Sequence, residues 1–350
     1  MRLEEFDYDL PPDLVAQEPA ARRDGSRLLV LDRTREGLHE TGFVRLLDHL
    51  ETGDLLVLND TRVLPARLIG RKPTGGRVEM LLVSRDPEDR EGATWICLIS
   101  TGRGMRPGVR LSIAPGFEAE IAGEAAGGRM LVRLHAAGRT AEEAIQSHGV
   151  MPLPPYIRRD EDDPRSALDR ERYQTVFARA AGAIAAPTAG LHFTPELLRA
   201  IQERGVALAH LTLHVGPGTF QPVRTARVED HLLEAEVFRL PVATAGAIDA
   251  CRERGGRVVA VGTTVTRVLE ERVLDGNRVT PGEGSCGLYI TPGHRFRVVD
   301  ALLTNLHLPK SSLLILVSAF AGRDRVMAAY REAVRRRLRF YSYGDAMLIL

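Results

Sequence analysis

The sequence has little of what would mark a secreted, metal-stapled or membrane-spanning protein. Its 350 residues include three cysteines, Cys97, Cys251 and Cys286. An odd number without metal-ligand spacing argues against a disulfide framework and against a zinc site. No stretch approaches the roughly 20 consecutive apolar residues of a membrane helix. The longest candidate, Leu313 to Phe320, reads as a buried element. The opening MRLEEFDYDLPPDL is acidic and interrupted by proline, unlike a signal peptide. Charge of one sign is also missing: the net value is +1, so global basicity does not announce a nucleic-acid partner. A soluble, cytoplasmic protein is expected.

The rest of the composition, 44% hydrophobic and 27% charged, is that of an ordinary globular chain. Its length allows two domains, because single cores stop growing near about 250–300 residues. Leu28–Asp32 and Leu55–Leu58 read as strands, and Phe43, Leu46, Leu47 and Leu50 recur at helical spacing. From Arg62 to His135, short runs (Arg77–Val83, Thr94–Ile99, Phe117–Ile121, Met130–Leu134) alternate with glycine-rich turns, the pattern of a small barrel or sandwich. Helices return after Ala141, and proline-rich MPLPPYI (Met151–Ile157) reads as a linker.

Beyond it, strand, glycine-rich turn and helix repeat. Thr194-Pro195-Glu196 starts a helix that Gly205 ends. Val206–Val215 and Arg257–Val261 are buried strands, and the second feeds Gly262-Thr263-Thr264 and a helix to about Val273. The expected fold class is α/β with two domains: residues 1–60 and 150–350 form a discontinuous α/β catalytic domain, and 61–149 an inserted small β-barrel.

Three turns could carry chemistry: AAPTAGLHFT (Ala185–Thr194), LHVGPGTFQPV (Leu213–Val223) and AVGTTVTR (Ala260–Arg267). None is a Walker loop or a dinucleotide fingerprint. GTT before a helix offers free N–H groups and two hydroxyls for a ribose or a carboxylate, or else is ordinary capping. His192 and His214 sit in glycine-rich segments at strand ends, with His231, Glu234 and Glu236 close in sequence. Histidine titrates near neutrality and carboxylates can orient it or act as bases, so this cluster suggests a polar site. TNLHLPKSSLL adds Asn305, His307 and Lys310 before an apolar helix. Near the C-terminus, seven arginines face three acids between Ala321 and Leu350. Met327, Tyr330, Val334, Leu338 and Tyr341 recur as a buried stripe, leaving Arg335, Arg336 and Arg339 as a solvated face or a contact for nucleic-acid phosphates.

Taken in order, these motifs resemble the S-adenosylmethionine:tRNA ribosyltransferase-isomerases of queuosine synthesis. The resemblance runs through FDYDLPPDLVAQEPAARRDGSRLLVLDR, GDLLVLNDTRVLPARL, MPLPPYI, ERYQTVFA, AAPTAGLHFT, HVGPGTFQPV, VGTTVTRVLE, NLHLPKSSLL and RFYSYGDAMLIL. It implies an α/β domain carrying a β-barrel. It also implies transfer of the ribosyl part of S-adenosylmethionine to 7-aminomethyl-7-deazaguanine at the tRNA wobble position. Adenine and methionine would leave and epoxyqueuosine-tRNA would form. S-adenosylmethionine is then a consumed substrate. No cofactor, metal, membrane or obligate protein partner is expected beside it and the tRNA.

Such chemistry needs two or more acid/base groups in a water-poor pocket. The matching motifs offer His192, His214, His231 and Glu236 as catalytic candidates. For substrate binding they offer Thr188, Gly190, Thr194, Gly216, Gly218, Thr219, Gly262, Thr263, Thr264, Arg267, Asn305 and His307. Lys310, Arg335, Arg336 and Arg339 are candidates for RNA. The chain departs from the family pattern at Glu234, where a second histidine is usual, and at Thr291 and His294, where aromatics are common.

Two rivals remain. An S-adenosylmethionine-dependent RNA methyltransferase would carry a glycine-rich loop after its first strand, where this chain has Asp32-Arg33-Thr34-Arg35-Glu36-Gly37. A non-catalytic RNA-binding barrel would carry stacking aromatics, yet Trp95 and Phe117 are alone between Arg62 and His135.

Overall fold

The computed structural model describes residues 1–350 except 36, 90, 101–104, 161–162, 221 and 275–277. Glu36 of the loop after the first strand and Gln221 of HVGPGTFQPV therefore lie outside the described residues. Strands β1 (Arg27–Leu31), β2 (Leu38–Gly42), β3 (Leu55–Asn59) and β4 (Thr61–Val63) come first. Next come β5 (Arg67–Arg71), β6 (Arg77–Arg85), β7 (Thr94–Ile99), β8 (Arg110–Ala114), β9 (Phe117–Ala125) and β10 (Arg129–Ala136). Helices α1 (Ala141–His148) and α2 (Ser166–Arg172) lead to β11 (Ala180–Ala183). Then follow α3 (Pro195–Glu203), β12 (Ala207–Leu213), β13 (Glu236–Leu240), α4 (Val242–Glu253), β14 (Val258–Val261), α5 (Thr263–Glu271) and β15 (Gly282–Cys286). The last elements are β16 (Ala301–Asn305), α6 (Ser312–Ala321), α7 (Arg323–Arg335) and β17 (Ala346–Ile349).

Nine strands form one sheet in the order β15-β13-β12-β3-β14-β16-β17-β1-β2. Its centre, β12-β3-β14-β16, is parallel, and these strands are apolar runs because both faces are covered. Alternate side chains serve different cores. Leu29, Leu31, Leu55, Val57 and Leu302 pack under α4 to α7. Leu28, Val30, Leu56, Leu58 and Leu303 pack with Phe43, Phe193, Leu197 and Ile201 on the other face. At the edges the strands turn polar, as in LHETG of β2 and GEGSC of β15.

The segment β5 to β10 closes into a barrel in the order β10-β7-β6-β5-β8-β9, which leaves no free edge. Alternation fills its interior with Val78, Met80, Leu82, Phe117, Ala119 and Ile121, and Ala144 and Ile145 of α1 plug it. Helix α1 starts at a capping box: Thr140 Oγ1 accepts from the Glu143 N–H, and the Glu143 carboxylate accepts from the Thr140 N–H. The chain enters and leaves the barrel side by side, because Arg67 and Val150 form an antiparallel bridge.

Two local expectations are corrected. Phe43, Leu46 and Leu50 are buried, but Phe43–His49 is a 3-10 helix, whose spacing of three suits the same residues. Helix α7 stops at Arg335, so Leu338 and Tyr341 lie beyond it and Ala333 takes the buried place assigned to Val334. Among the described residues no helix is long and apolar enough to cross a membrane.

Candidate active site

The turns after β3, β12, β14 and β16 all leave the same end of the sheet, the carboxyl end where ligands enter open α/β folds. Those after β12, β14 and β16 line a cavity of about 380 Å³. Asn59, 1% exposed, ties three of these turns together. Its Nδ2 donates to the Leu213 carbonyl (3.0 Å) and Thr264 Oγ1 (3.3 Å), and its Oδ1 accepts from the N–H groups of Leu213 and Thr61.

Gly262 opens α5 with φ of 95°, a conformation that only glycine adopts without strain, and its N–H donates to the Leu303 carbonyl. Gly262, the residue at the cap position, has no side chain to cap α5, and Thr263 and Thr264 lie inside the helix. The first-turn N–H groups have no intrahelical partner, and Gly262, Thr263 and Thr264 line the cavity. Thr188, Thr219, Asn305 and His307 join them. His307 is held by Thr304 Oγ1 at 2.8 Å from Nε2, and burial pushes its imidazole down to about 3. Tyr156, Tyr341 and Ser342 complete one wall: the two rings lie 4.0 Å apart and the Tyr156 hydroxyl bonds Ser342 Oγ at 2.6 Å. Lys310 stands in the lining with its Nζ 2.6 Å from the Asp7 carboxylate and its backbone left-handed at φ 58°.

A second cleft, about 430 Å³, shares Val215 with the cavity and runs between the barrel and the sheet. Trp95 and Arg129 line it from the barrel, and His214, Gly216, Gly218 and Glu234 from the facing turn. His214 Nδ1 pairs with Thr61 Oγ1 at 2.8 Å. Burial lowers its pKa, with Asp60 opposing. A Cβ on Gly182 would fall 2.7–2.9 Å from the imidazole atoms, so this position sets the ring's place.

The sequence profile of the family described as "Queuosine biosynthesis protein" matches residues 3–349. The chain belongs to that family. It is similar to the S-adenosylmethionine:tRNA ribosyltransferase-isomerase of Geobacter sulfurreducens, 53% identical over 349 residues and 100% of both chains. The protein of the same name from Aquifex aeolicus is 49% identical over 350 residues, again across 100% of both. Among solved structures it is similar to S-adenosylmethionine tRNA ribosyltransferase from Thermotoga maritima, at TM-score 0.55 and 38% identity, covering 99% of this chain and 100% of that one.

In this member of the queuosine biosynthesis family, not all expected site residues meet. His192 lies behind the cavity wall, against Ser26 and Asn305, and His231 packs edge-on to Tyr289, away from both clefts. Glu236 and Arg267 form a buried ion pair outside the first cavity, although Glu236 lines the second cleft beside His214. Thr194 caps α3, accepting from the Leu197 N–H, and Gly190 makes room for Phe177 and Thr175. Arg335 and Arg336 pair with Glu332, and Arg339 with Asp345. Asn59, Thr61, Tyr156, Tyr341 and Ser342 were missed, although each falls in a segment that carries the family resemblance.

Thr263→Val should raise the KM for S-adenosylmethionine about 2–12-fold, the loss of one neutral hydrogen bond worth about 0.5–1.5 kcal/mol, with the melting temperature unchanged. An equal rise for tRNA, or a lowered melting temperature, would make this hydroxyl structural.

Proposed function

We propose that the chain transfers and isomerises the ribosyl moiety of S-adenosylmethionine onto 7-aminomethyl-7-deazaguanine at the wobble position of tRNA. The product is epoxyqueuosine-tRNA, and adenine and methionine are released. The observation that carries this reading is the convergence of Thr188, Thr219, Gly262–Thr264 and Asn305–Lys310, from four of the family-like segments, on one cavity. Its volume falls in the usual range for small-molecule sites, about 300–1,000 Å³.

S-adenosylmethionine occupies the cavity, with its carboxylate or ribose at the uncapped start of α5. The RNA base, splayed from its stack, enters the adjoining cleft between barrel and sheet. The sulfonium acidifies the neighbouring ribose carbon, so a base must remove a proton there. Adenine must leave protonated or hydrogen-bonded, and the RNA amine must attack as the neutral form. Of the catalytic candidates His192, His214 and His231, His214 is the one that lines this cleft, which makes it the choice for proton transfer on the RNA side. Lys310, clamped by Asp7 at the lining, reaches RNA phosphate only by exchanging that partner. The reaction uses no cofactor and takes place in the cytoplasm with tRNA.

Incubation with S-adenosylmethionine labelled in both methyl and ribose tests this. Adenine and methionine should appear together, and only when the tRNA carries the aminomethyl-deazaguanine. S-adenosylhomocysteine as product would establish a methyltransferase instead. Chelators should leave the rate unchanged, since the sulfonium already supplies the electrophile. Loss restored by zinc would overturn that part.

A further inference from the structure

His192 is 4% exposed and sits in a histidine-bearing turn, yet it does not reach the cavity. Its ring stacks on Phe43, with centroids 4.9 Å apart. Its Nε2 lies 3.3 Å from Asn305 Nδ2, and its Nδ1 lies 2.7 Å from Ser26 Oγ. The same Asn305 Nδ2 donates to the Tyr341 carbonyl at 3.1 Å, which fixes the amide the right way round, because a carbonyl can only accept. Both Nδ2 hydrogens are thus used. Nε2 of His192 must accept, so its proton sits on Nδ1 and faces Ser26.

The consequence falls on the other end of the amide. Asn305 is 2% exposed and lines the cavity, and its Oδ1 has no partner among the described residues. A buried acceptor left unpaired costs free energy that a ligand donor recovers. Beside it is the uncapped start of α5, since the Gly262 N–H bonds the carbonyl of Leu303, two residues before Asn305. We propose that Asn305 Oδ1 accepts an N–H of S-adenosylmethionine, and that His192 is a positioning residue which holds the Asn305 amide for that contact. This rests on S-adenosylmethionine being the ligand of the cavity. The donor is either the amino-acid ammonium or the exocyclic amine of adenine.

Calorimetric titration of S-adenosylmethionine into the full chain, without tRNA, tests it. Asn305→Leu should weaken binding about tenfold or more. His192→Phe, which keeps the stack on Phe43 but loses the acceptor, should do nearly the same. His192→Gln, which can place an amide oxygen near the old Nε2, should recover to within about threefold, and it carries the test should the phenylalanine variant not fold. Two analogues separate the donors. The one lacking the contacted amine, whether α-amino or 6-amino, should bind wild type and Asn305→Leu alike, while the other should keep the full difference. Equal losses for both analogues would overturn the contact. Turnover of His192→Phe at saturating substrate should stay near wild type with an unshifted pH profile. A hundredfold loss in kcat with unchanged KM would make His192 a proton-transfer group and overturn its positioning role. Wild type that failed to bind S-adenosylmethionine would remove the functional reading itself, whereas unaltered affinity in Asn305→Leu would sink the contact alone.

Discussion

Glu236→Ala should destabilise the protein by about 3–5 kcal/mol, the cost of leaving a buried guanidinium without its carboxylate. Glu236 and Arg267 are 6% and 4% exposed and form an ion pair. The carboxylate also accepts from the Gly216 N–H at 2.8 Å and from Thr219 Oγ1 at 3.1 Å, while Arg267 donates to the carbonyls of Leu288 and Cys286. The pair therefore staples the HVGPGT turn to α5 and β15. Urea unfolding should show the loss, and Glu236→Leu with Arg267→Met should recover part of it, because an apolar pair leaves no stranded charge. Were Glu236 instead the proton acceptor of the reaction, Glu236→Gln would lose turnover with an unchanged unfolding midpoint. That result would restore the role the sequence suggested.

Acid should weaken the fold well before the carboxylates titrate. Burial holds His192 down to about 4 and His307 down to about 3, whereas unfolded histidine titrates near 6.5. The folded state thus binds fewer protons than the unfolded chain throughout pH 6.5 to 4. Stability is fully present above about 6.5 and falls as pH drops through this window. With both groups contributing, on the order of 5 kcal/mol is lost by pH 4.5. That rivals the whole stability of many domains. Burial lowers His49, His210, His214 and His231 as well, which acts in the same direction. Melting temperature measured across pH 7 to 4.5 should show the fall, and His192→Gln with His307→Gln should flatten it. A flat wild-type profile from 6.5 to 5 would show that these rings are protonated in the folded protein.

The sheet was legible where physics is local. LLVL of β3 and VVAV of β14 are continuous apolar runs because helices or loops cover both faces, and glycine-punctuated alternation marked the barrel. Phe43 and Leu46 misled because a spacing of three occurs in an α-helix and a 3-10 helix alike, while Leu50 follows as the residue that caps the turn. At the site, sequence identified the turns but not the direction of their side chains. Thr263 and His307 face the cavity, whereas His192, from an equally suggestive turn, points behind it. Tyr341 was counted as helix packing. It reaches the cavity because its backbone is left-handed, φ 74°, a conformation no neighbouring residue type announces.

Strand β17 lies inside the sheet, with Leu302–Asn305 on one side and Leu28–Leu31 on the other. The hairpin β1–β2 therefore has no place to dock until residues 346–349 have left the ribosome. Until then, Leu28 to Leu31 wait without the strand they pair with, their apolar faces uncovered or under temporary cover. Pairings so distant in sequence close slowly. During that interval the nascent chain depends on whatever shields an unpaired strand edge, and a shortage of chaperones would show first as aggregation through this N-terminal hairpin.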